Sequence, residues 1–255
     1  YSAPLPNHPV GYANWGWVTG FSDWAGLRPY SELEFEKAAR GWFPPQYDDE
    51  YPWGTNSVVT SSYTVETLST PFGYAISGGY SNANSMGNAV YNSTIGTSPH
   101  NLRVGVFAND TSSRAQSSAS LTGVLDLAGN VAENVANIES SFDNSWVWVH
   151  GDGLLNTKNQ ANESWPGWNG TAWSGSNSNG KIAIGRRGGS AKDNAQRLWT
   201  SDREYAKINS GGLVSTGSRA AVTRECSLPT HNSLSYPIQA NTVYSDRANA
   251  IKWLI

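Results

Sequence analysis

The sequence predicts a single α+β domain in which two N-terminal helices pack on small, irregular antiparallel sheets with long ordered loops. Three observations predict this fold class: helix signals crowd into the first 41 residues, later β-prone runs are short, and Gly-, Asn- and Ser-rich loops separate them. A chain of 255 residues can bury a substantial core. It shows no internal repeat and no convincing domain boundary, so we expect one domain over residues 1–255.

The first helix is predicted to run from Trp15 to about Ala25. Asn14 precedes it, and an Asn side chain at this position can accept a hydrogen bond from an N–H of the first turn. Gly26 follows as the stop signal.

The second helix is predicted to begin after Ser31. Ser31 and Glu34 have the spacing of a capping box, in which each side chain satisfies an unpaired backbone N–H near the helix start. Gly41 is the expected residue after the end of the helix. A partly apolar face is formed by Leu33, Phe35, Ala38 and Ala39.

From Trp42 onward the pattern is that of short strands and loops. The β-prone runs include Ser57–Tyr63, Leu102–Phe107 and Trp146–His150. The loop Asn156–Gly180 is polar, yet it is expected to pack on the body because it carries aromatic side chains, namely Trp165, Trp168 and Trp173.

Composition narrows the classes of partner. Charged residues make up 15% of the chain, and the net charge of −3 gives no general reason to expect nucleic acid. No run approaches the roughly 18 apolar residues that predict a membrane-spanning helix. The loops are dominated by Asn, Ser, Thr and Gly, which favours an extracellular or cell-surface location. Glycosylation triplets, which matter only in a glycosylating host, begin at Asn92, Asn109, Asn162 and Asn169.

Several segments occur in the order seen in the formylglycine-generating enzyme (sulfatase-modifying factor) family. They are Leu27–Gly41 with its Glu-x-Glu-Phe-Glu core, Tyr51–Gly54, Val104–Asn109, Leu125–Glu133, Arg187–Ser190 and Gly217–Arg219. The chain resembles that family over about residues 10–222, leaving 223–255 as a C-terminal extension. The resemblance implies a C-type-lectin-like fold, and fold alone does not imply an activity.

The family's oxidases hold copper with two closely spaced cysteines shortly after Arg-Gly-Gly-Ser, because Cu(I) prefers thiolates. Here residues 190–199 contain no cysteine, and the single Cys226 is expected to be a small core residue. We therefore expect no copper and no enzymatic activity. The alternative is a metal-dependent oxidoreductase of the non-haem iron type, although the four histidines (His8, His100, His150 and His231) show no ligand spacing.

Other residues of types that can act in catalysis or metal binding are expected to have structural roles. His150–Gly153 is expected to be a tight loop rather than a catalytic pair, and Asp48–Glu50 a solvated acidic turn rather than a cation site. Ser190 lacks a nucleophile elbow. Arg187 and Arg219 are expected to make buried structural hydrogen bonds, because a guanidinium can satisfy several acceptors at once.

The best candidate ligand site is the segment Gly129, Asn130, Val131 and Glu133. The family resemblance implies Ca²⁺ binding there, through carbonyls and the acidic side chain, which fits the preference of Ca²⁺ for six to eight oxygen ligands. The tryptophans that usually flank this glutamate are replaced by Ala132 and Asn134. A purely structural turn is the alternative.

These observations favour a non-catalytic surface protein: a subunit of a filament, sheath or appendage, or an adhesin-like module that contacts protein or carbohydrate. The strands that open the family's fold have no counterpart between Tyr1 and Val10. We therefore expect self-assembly or a companion chain to complete the sheet by strand addition. The alternative is that the first ten residues fold back and the chain is monomeric.

Overall fold

The computed structural model describes residues 5–60, 63–67, 74–92, 101–137, 149–176, 182–207 and 216–222. Its helices are α1 (Trp15–Trp24) and α2 (Glu32–Arg40), with a 3-10 turn at Ala195–Leu198. Its strands are β1 (Arg28–Pro29), β2 (Thr64–Thr67), β3 (Tyr74–Gly78), β4 (Ala132–Ala136), β5 (Ile184–Arg187), β6 (Thr216–Ser218) and β7 (Ala220–Ala221). The predicted α+β class with two N-terminal helices and small sheets is confirmed.

The largest sheet described has the order β5-β4-β6. Glu133 on β4 lies opposite Arg187 of antiparallel β5 and opposite Gly217 of parallel β6. This sheet is therefore mixed, whereas only antiparallel pairing was predicted. The other two sheets are antiparallel pairs, β2 with β3 and β1 with β7.

Helix α1 begins as predicted. The Asn14 side chain accepts the Trp17 N–H at 2.9 Å, and the helix ends at Trp24. One face, with Trp15 and Val18, is buried. The opposite face presents a row of aromatic side chains that are about half exposed or more, namely Trp17, Phe21 and Trp24.

Helix α2 has the predicted capping box between Ser31 and Glu34. Gly41 ends it with a φ of 71°, and a Cβ there would lie 2.8 Å from a methyl carbon of Leu121, so both conformation and space require glycine. Leu33, predicted on the apolar face, is 59% exposed, while Phe35, Ala38 and Ala39 are buried.

The predicted strand at Leu102–Phe107 is wrong, because this run forms turns. Gly105 adopts a φ of 66°, and the Leu102 backbone is hydrogen-bonded by the side chain of Asn130 instead of a strand. Of the run Ser57–Tyr63, Val58 makes only an isolated bridge with Gly87. Residues 146–148 of the third run lie outside the described residues, as do residues 61–62.

The long aromatic loop packs on the body as predicted. Trp165 and Trp173 are buried in one hydrophobic cluster with Trp15 and Ile184. The Trp15 indole N–H donates to the carbonyl oxygen of Pro166 at 2.7 Å, which ties the loop to α1. These contacts hold one side of α1 in place.

Both outer strands of the β5-β4-β6 sheet have neighbours. The Ala13 N–H donates to the Thr216 carbonyl of β6 at 3.0 Å, and the Arg186 N–H of β5 donates to Tyr205 at 2.8 Å. The Asn7 carbonyl accepts the Val104 N–H at 2.9 Å, so both ends of the segment 7–13 are hydrogen-bonded to the rest of the domain. No helix of the described part of the chain is long and apolar enough to cross a membrane.

Candidate functional site

A cavity of about 420 Å³ opens between α1, the start of β4 and the segment from β6 to β7. Its walls are mainly apolar and include Val10, Val18 and Val131, while Trp17 and Phe21 of the exposed aromatic row also line it. Its charged lining residues are Asp126, Glu133 and Arg219. A mostly apolar pocket with a few converging polar groups is the usual form of a binding site.

Glu133 is held by two partners and is 4% exposed. One carboxylate oxygen accepts the Nε–H of Arg219, and the other accepts the Tyr30 hydroxyl at 2.5 Å. Arg219 also donates to the Leu125 carbonyl at 2.8 Å. Burial, followed by the charge of Glu133, raises the pKa of Tyr30, so its hydroxyl stays protonated and donates to that carboxylate.

Asp126 completes the charged group. Its Oδ2 accepts the Gly105 N–H at 2.8 Å, and its backbone has a φ of 55°. Burial raises the pKa of the Asp126 carboxyl, although the Gly105 N–H and the charge of Arg219 oppose the rise. The Arg219 guanidinium pairs with the Glu133 carboxylate and also donates to the backbone carbonyl of Asp126 at 3.4 Å, so it links the two segments.

The predicted calcium residues form a tightly bonded turn beside this group. The Asn130 side chain accepts the Leu102 N–H and donates to the Leu102 carbonyl, both at 3.0 Å. Gly129 has a φ of 82°, and a Cβ there would lie 2.5 Å from the Val90 carbonyl oxygen. A Ca²⁺ ion at Glu133 would have to displace Arg219 or Tyr30, so calcium binding at this turn stays a prediction.

Arg187 makes the structural contacts predicted for it. It donates to Glu32, to Glu36 at 2.8 Å and to the Thr200 carbonyl at 2.5 Å. Arg203 adds two hydrogen bonds to Glu32, at 2.6 and 3.0 Å. This network joins α2 to β5.

The structure also brings together three carboxylates that no sequence motif connects. Asp23, Asp152 and Glu163 each place a carboxylate oxygen within 4.8 Å of the others. Asp23 is buried and accepts the N–H groups of Asp152 at 3.1 Å and of Asn162 at 2.9 Å. Partial burial and the two neighbouring carboxylates raise the pKa of Glu163. Only the packing of the 149–176 loop on α1 creates this cluster.

His150–Gly153 forms the predicted tight loop. The Gly151 N–H donates to the Leu27 carbonyl at 2.7 Å, and a Cβ on Gly151 would lie 2.2 Å from the Asp23 Cα. Ser190 Oγ donates to Asp193 at 2.7 Å within a turn.

The acidic turn at Asp48–Glu50 is only partly solvated. Asp48 is exposed, but Glu50 is buried and accepts the Gln46 N–H at 2.7 Å. Cys226, His100 and His231 lie outside the described residues.

No protein-family model matches the chain. Formylglycine-generating enzymes of Thermomonospora curvata and of Streptomyces coelicolor are each 43% identical to it over 49 residues. The match spans 19% of this chain and 15% of the length of each relative. The predicted resemblance is thus supported for a segment of the chain.

The prediction that the chain is not an enzyme is wrong by this comparison, because both relatives carry the name of an enzyme. That prediction depended on the missing cysteines between residues 190 and 199. Two cysteines are a requirement of copper–thiolate chemistry alone, so their absence is not a test of catalysis in general.

Proposed function

We propose that the chain is an extracellular recognition subunit of a surface assembly, built on a formylglycine-generating-enzyme-like domain. The observation that carries the proposal is the apolar cavity beside α1 together with the exposed aromatic row of that helix. Val10, Trp17 and Phe21 line the cavity and are 71%, 62% and 51% exposed. Contiguous exposed apolar surface of this kind usually marks an interaction site.

The proposed occupant is residues 247–255 of a neighbouring copy. That stretch combines Arg247 and Lys252 with the apolar residues Ile251, Trp253, Leu254 and Ile255. Its basic side chains complement the acidic cluster of Asp23, Asp152 and Glu163, in which Asp23 of α1 directly follows the cavity-lining Ser22.

The linker is long enough for exchange between copies. Residues 223–246 separate this stretch from Val222, which follows the cavity-lining residue Ala220 closely in the chain. At about 3.3 Å per extended residue this linker can reach roughly 80 Å. This proposal retains the predicted self-assembly but replaces strand addition to the sheet by a segment bound in the cavity.

Sedimentation velocity of the full chain over a range of concentrations tests the proposal. The variant Trp17→Ser/Phe21→Ser should sediment as a monomer, while the unaltered chain assembles. The matched control is Trp42→Ser/Phe43→Ser, which removes an equally exposed Trp–Phe pair that does not line the cavity. An unaltered chain that stays monomeric at every concentration contradicts the proposal.

A second candidate function is a metal-dependent oxidoreductase of the non-haem iron type, favoured by the enzymatic relatives. Elemental analysis of protein purified from its native source tests it. Stoichiometric iron with oxygen consumption would support this function, and metal-free protein without turnover would contradict it.

A further inference from the structure

A second cavity, of about 280 Å³, differs in chemistry from the first. It lies between the segments 80–82, 107–112 and 116, and no charged side chain is among the described residues that line it. Amide and hydroxyl side chains dominate the lining, including Asn82, Asn109 and Thr111, and two aromatic residues, Tyr80 and Phe107, accompany them.

Hydrogen bonds within the protein fix the shape of this cleft. Asn88 is 2% exposed, and its side-chain N–H groups donate to the carbonyls of Ser81 at 2.9 Å and of Gln116 at 2.8 Å. Its side-chain oxygen accepts the Ser81 N–H at 2.8 Å. Gln116 donates to the backbone carbonyl of Asn82, which joins two of the lining segments. The Asn109 side chain accepts both the N–H and the hydroxyl of Thr111, at 3.0 and 2.8 Å. The cleft is therefore preorganised, which lowers the entropic cost of binding.

We infer that this cleft binds a neutral carbohydrate of one or two pyranose rings. Carbohydrate hydroxyls both donate and accept hydrogen bonds, and amide and hydroxyl side chains do the same. The apolar C–H face of a pyranose can pack on Tyr80, which is 49% exposed, or on Phe107. A charged ligand would lose its hydration without gaining an ion pair, because no charged side chain is among the described residues of the lining.

Isotope-edited NMR titration of the full chain tests the inference. The probes are glucose, galactose, mannose and N-acetylglucosamine, with their β-linked disaccharides, and glucuronic acid is the charged comparison. We expect at least one neutral saccharide to shift the amide signals of the cleft segments and glucuronic acid to bind more weakly. We also expect the affinity to be the same at low and high salt, because screening acts on charges.

The variants Asn82→Ala and Tyr80→Ala should each weaken that binding about tenfold, the usual effect of losing one hydrogen bond or ring contact. Asn82→Ala keeps the backbone carbonyl to which Gln116 donates, so the fold is preserved. Trp42→Ala, an exposed aromatic residue that lines neither cavity, is the control and should leave the affinity unchanged. Failure of every neutral saccharide to bind, or binding unaffected by both cleft variants, overturns the inference.

Discussion

Glu133 shows how one side chain connects fold and site. It lies at the start of β4, between β5 and β6, and its carboxylate accepts from Tyr30 before α2 and from Arg219 after β6. Tyr30 and Glu133 alone are 103 positions apart in sequence, so the site depends on the tertiary fold. The same contacts that could position a ligand also hold the sheet together.

Replacing Glu133 by Gln should destabilise the protein strongly. The substitution leaves the buried Arg219 guanidinium without a counter-charge, which typically costs about 3–5 kcal/mol. Glu204→Gln is the control, because Glu204 is largely exposed and 3.6 Å from Arg197, and such pairs contribute about 0–1 kcal/mol. Chemical denaturation measures the free energy of unfolding of both variants. Equal losses of stability would show that the Glu133–Arg219 pair behaves as a surface pair.

Calcium should raise the melting temperature if either carboxylate group binds it. Binding to the folded state alone stabilises by about 2.7 kcal/mol at a hundredfold excess over Kd. Thermal melts with chelator and with millimolar calcium are compared for the unaltered chain, Glu133→Gln and Glu163→Gln. Loss of the difference only in Glu133→Gln supports the predicted turn, and loss only in Glu163→Gln moves the site to Asp23, Asp152 and Glu163. Identical melts of the unaltered chain contradict calcium binding.

Glu163 should make stability depend on pH. Because partial burial and two neighbouring carboxylates raise its pKa, the folded state holds this proton more tightly than the unfolded state does. Its contribution is therefore fully present below the unfolded pKa of about 4.3 and is lost as pH rises through the folded pKa. In the absence of divalent ions Glu163→Gln should melt higher than the unaltered chain at neutral pH, with the difference shrinking in acid. A difference that grows in acid would contradict this sign.

At the scale of elements, α1 depends both on residues adjacent to it in sequence and on tertiary contacts. Its start at Asn14 is encoded by neighbouring residues, whereas its position depends on the 149–176 loop, which contacts it at Asp23 and Trp15. Gly20 of this helix and Gly151 of that loop have opposite surroundings. Gly20 lies inside the helix with ordinary space for a methyl group, while Gly151 touches the helix backbone.

Gly20→Ala should stabilise the protein by up to about 1 kcal/mol, because alanine is the better helix former and its Cβ would lie 3.6 Å from the nearest neighbouring atom. Gly151→Ala should destabilise it, because its Cβ would lie 2.2 Å from the Asp23 Cα. Differential scanning calorimetry of both variants checks these two expected changes in stability. A stabilised Gly151→Ala would show that the loop does not press on α1.

The same contrast explains what could be predicted from the sequence. Both helix starts were correct because capping depends on residues three apart. The strand predicted at Leu102–Phe107 was wrong, and the described residues of Ser57–Tyr63 make only an isolated bridge, because the described strands are two to five residues long and depend on distant partners. The importance of Glu133 was visible in the sequence, but its partners Tyr30 and Arg219 and the carboxylate cluster at Asp23 depend on tertiary packing.

At the scale of the whole molecule, the described part of the chain holds its elements together with four hydrophobic clusters. These clusters draw their members from residues between Ala13 and Ala221. Polar networks join the elements between these clusters, as Arg187 joins α2 to β5.

Shortening the chain after residue 222 should therefore separate folding from assembly. The shortened protein should unfold cooperatively with a melting temperature close to that of the full chain at concentrations where the full chain is monomeric, because its clusters are intact. It should fail to assemble at higher concentrations, because the basic and apolar stretch that complements the carboxyl groups near α1 is missing.

Adding a peptide of residues 247–255 should then raise the melting temperature of the shortened protein, and Trp17→Ser/Phe21→Ser should abolish that rise. Assembly of the shortened protein would contradict the proposed contact, and a loss of cooperative unfolding would show that residues 223–255 belong to the core.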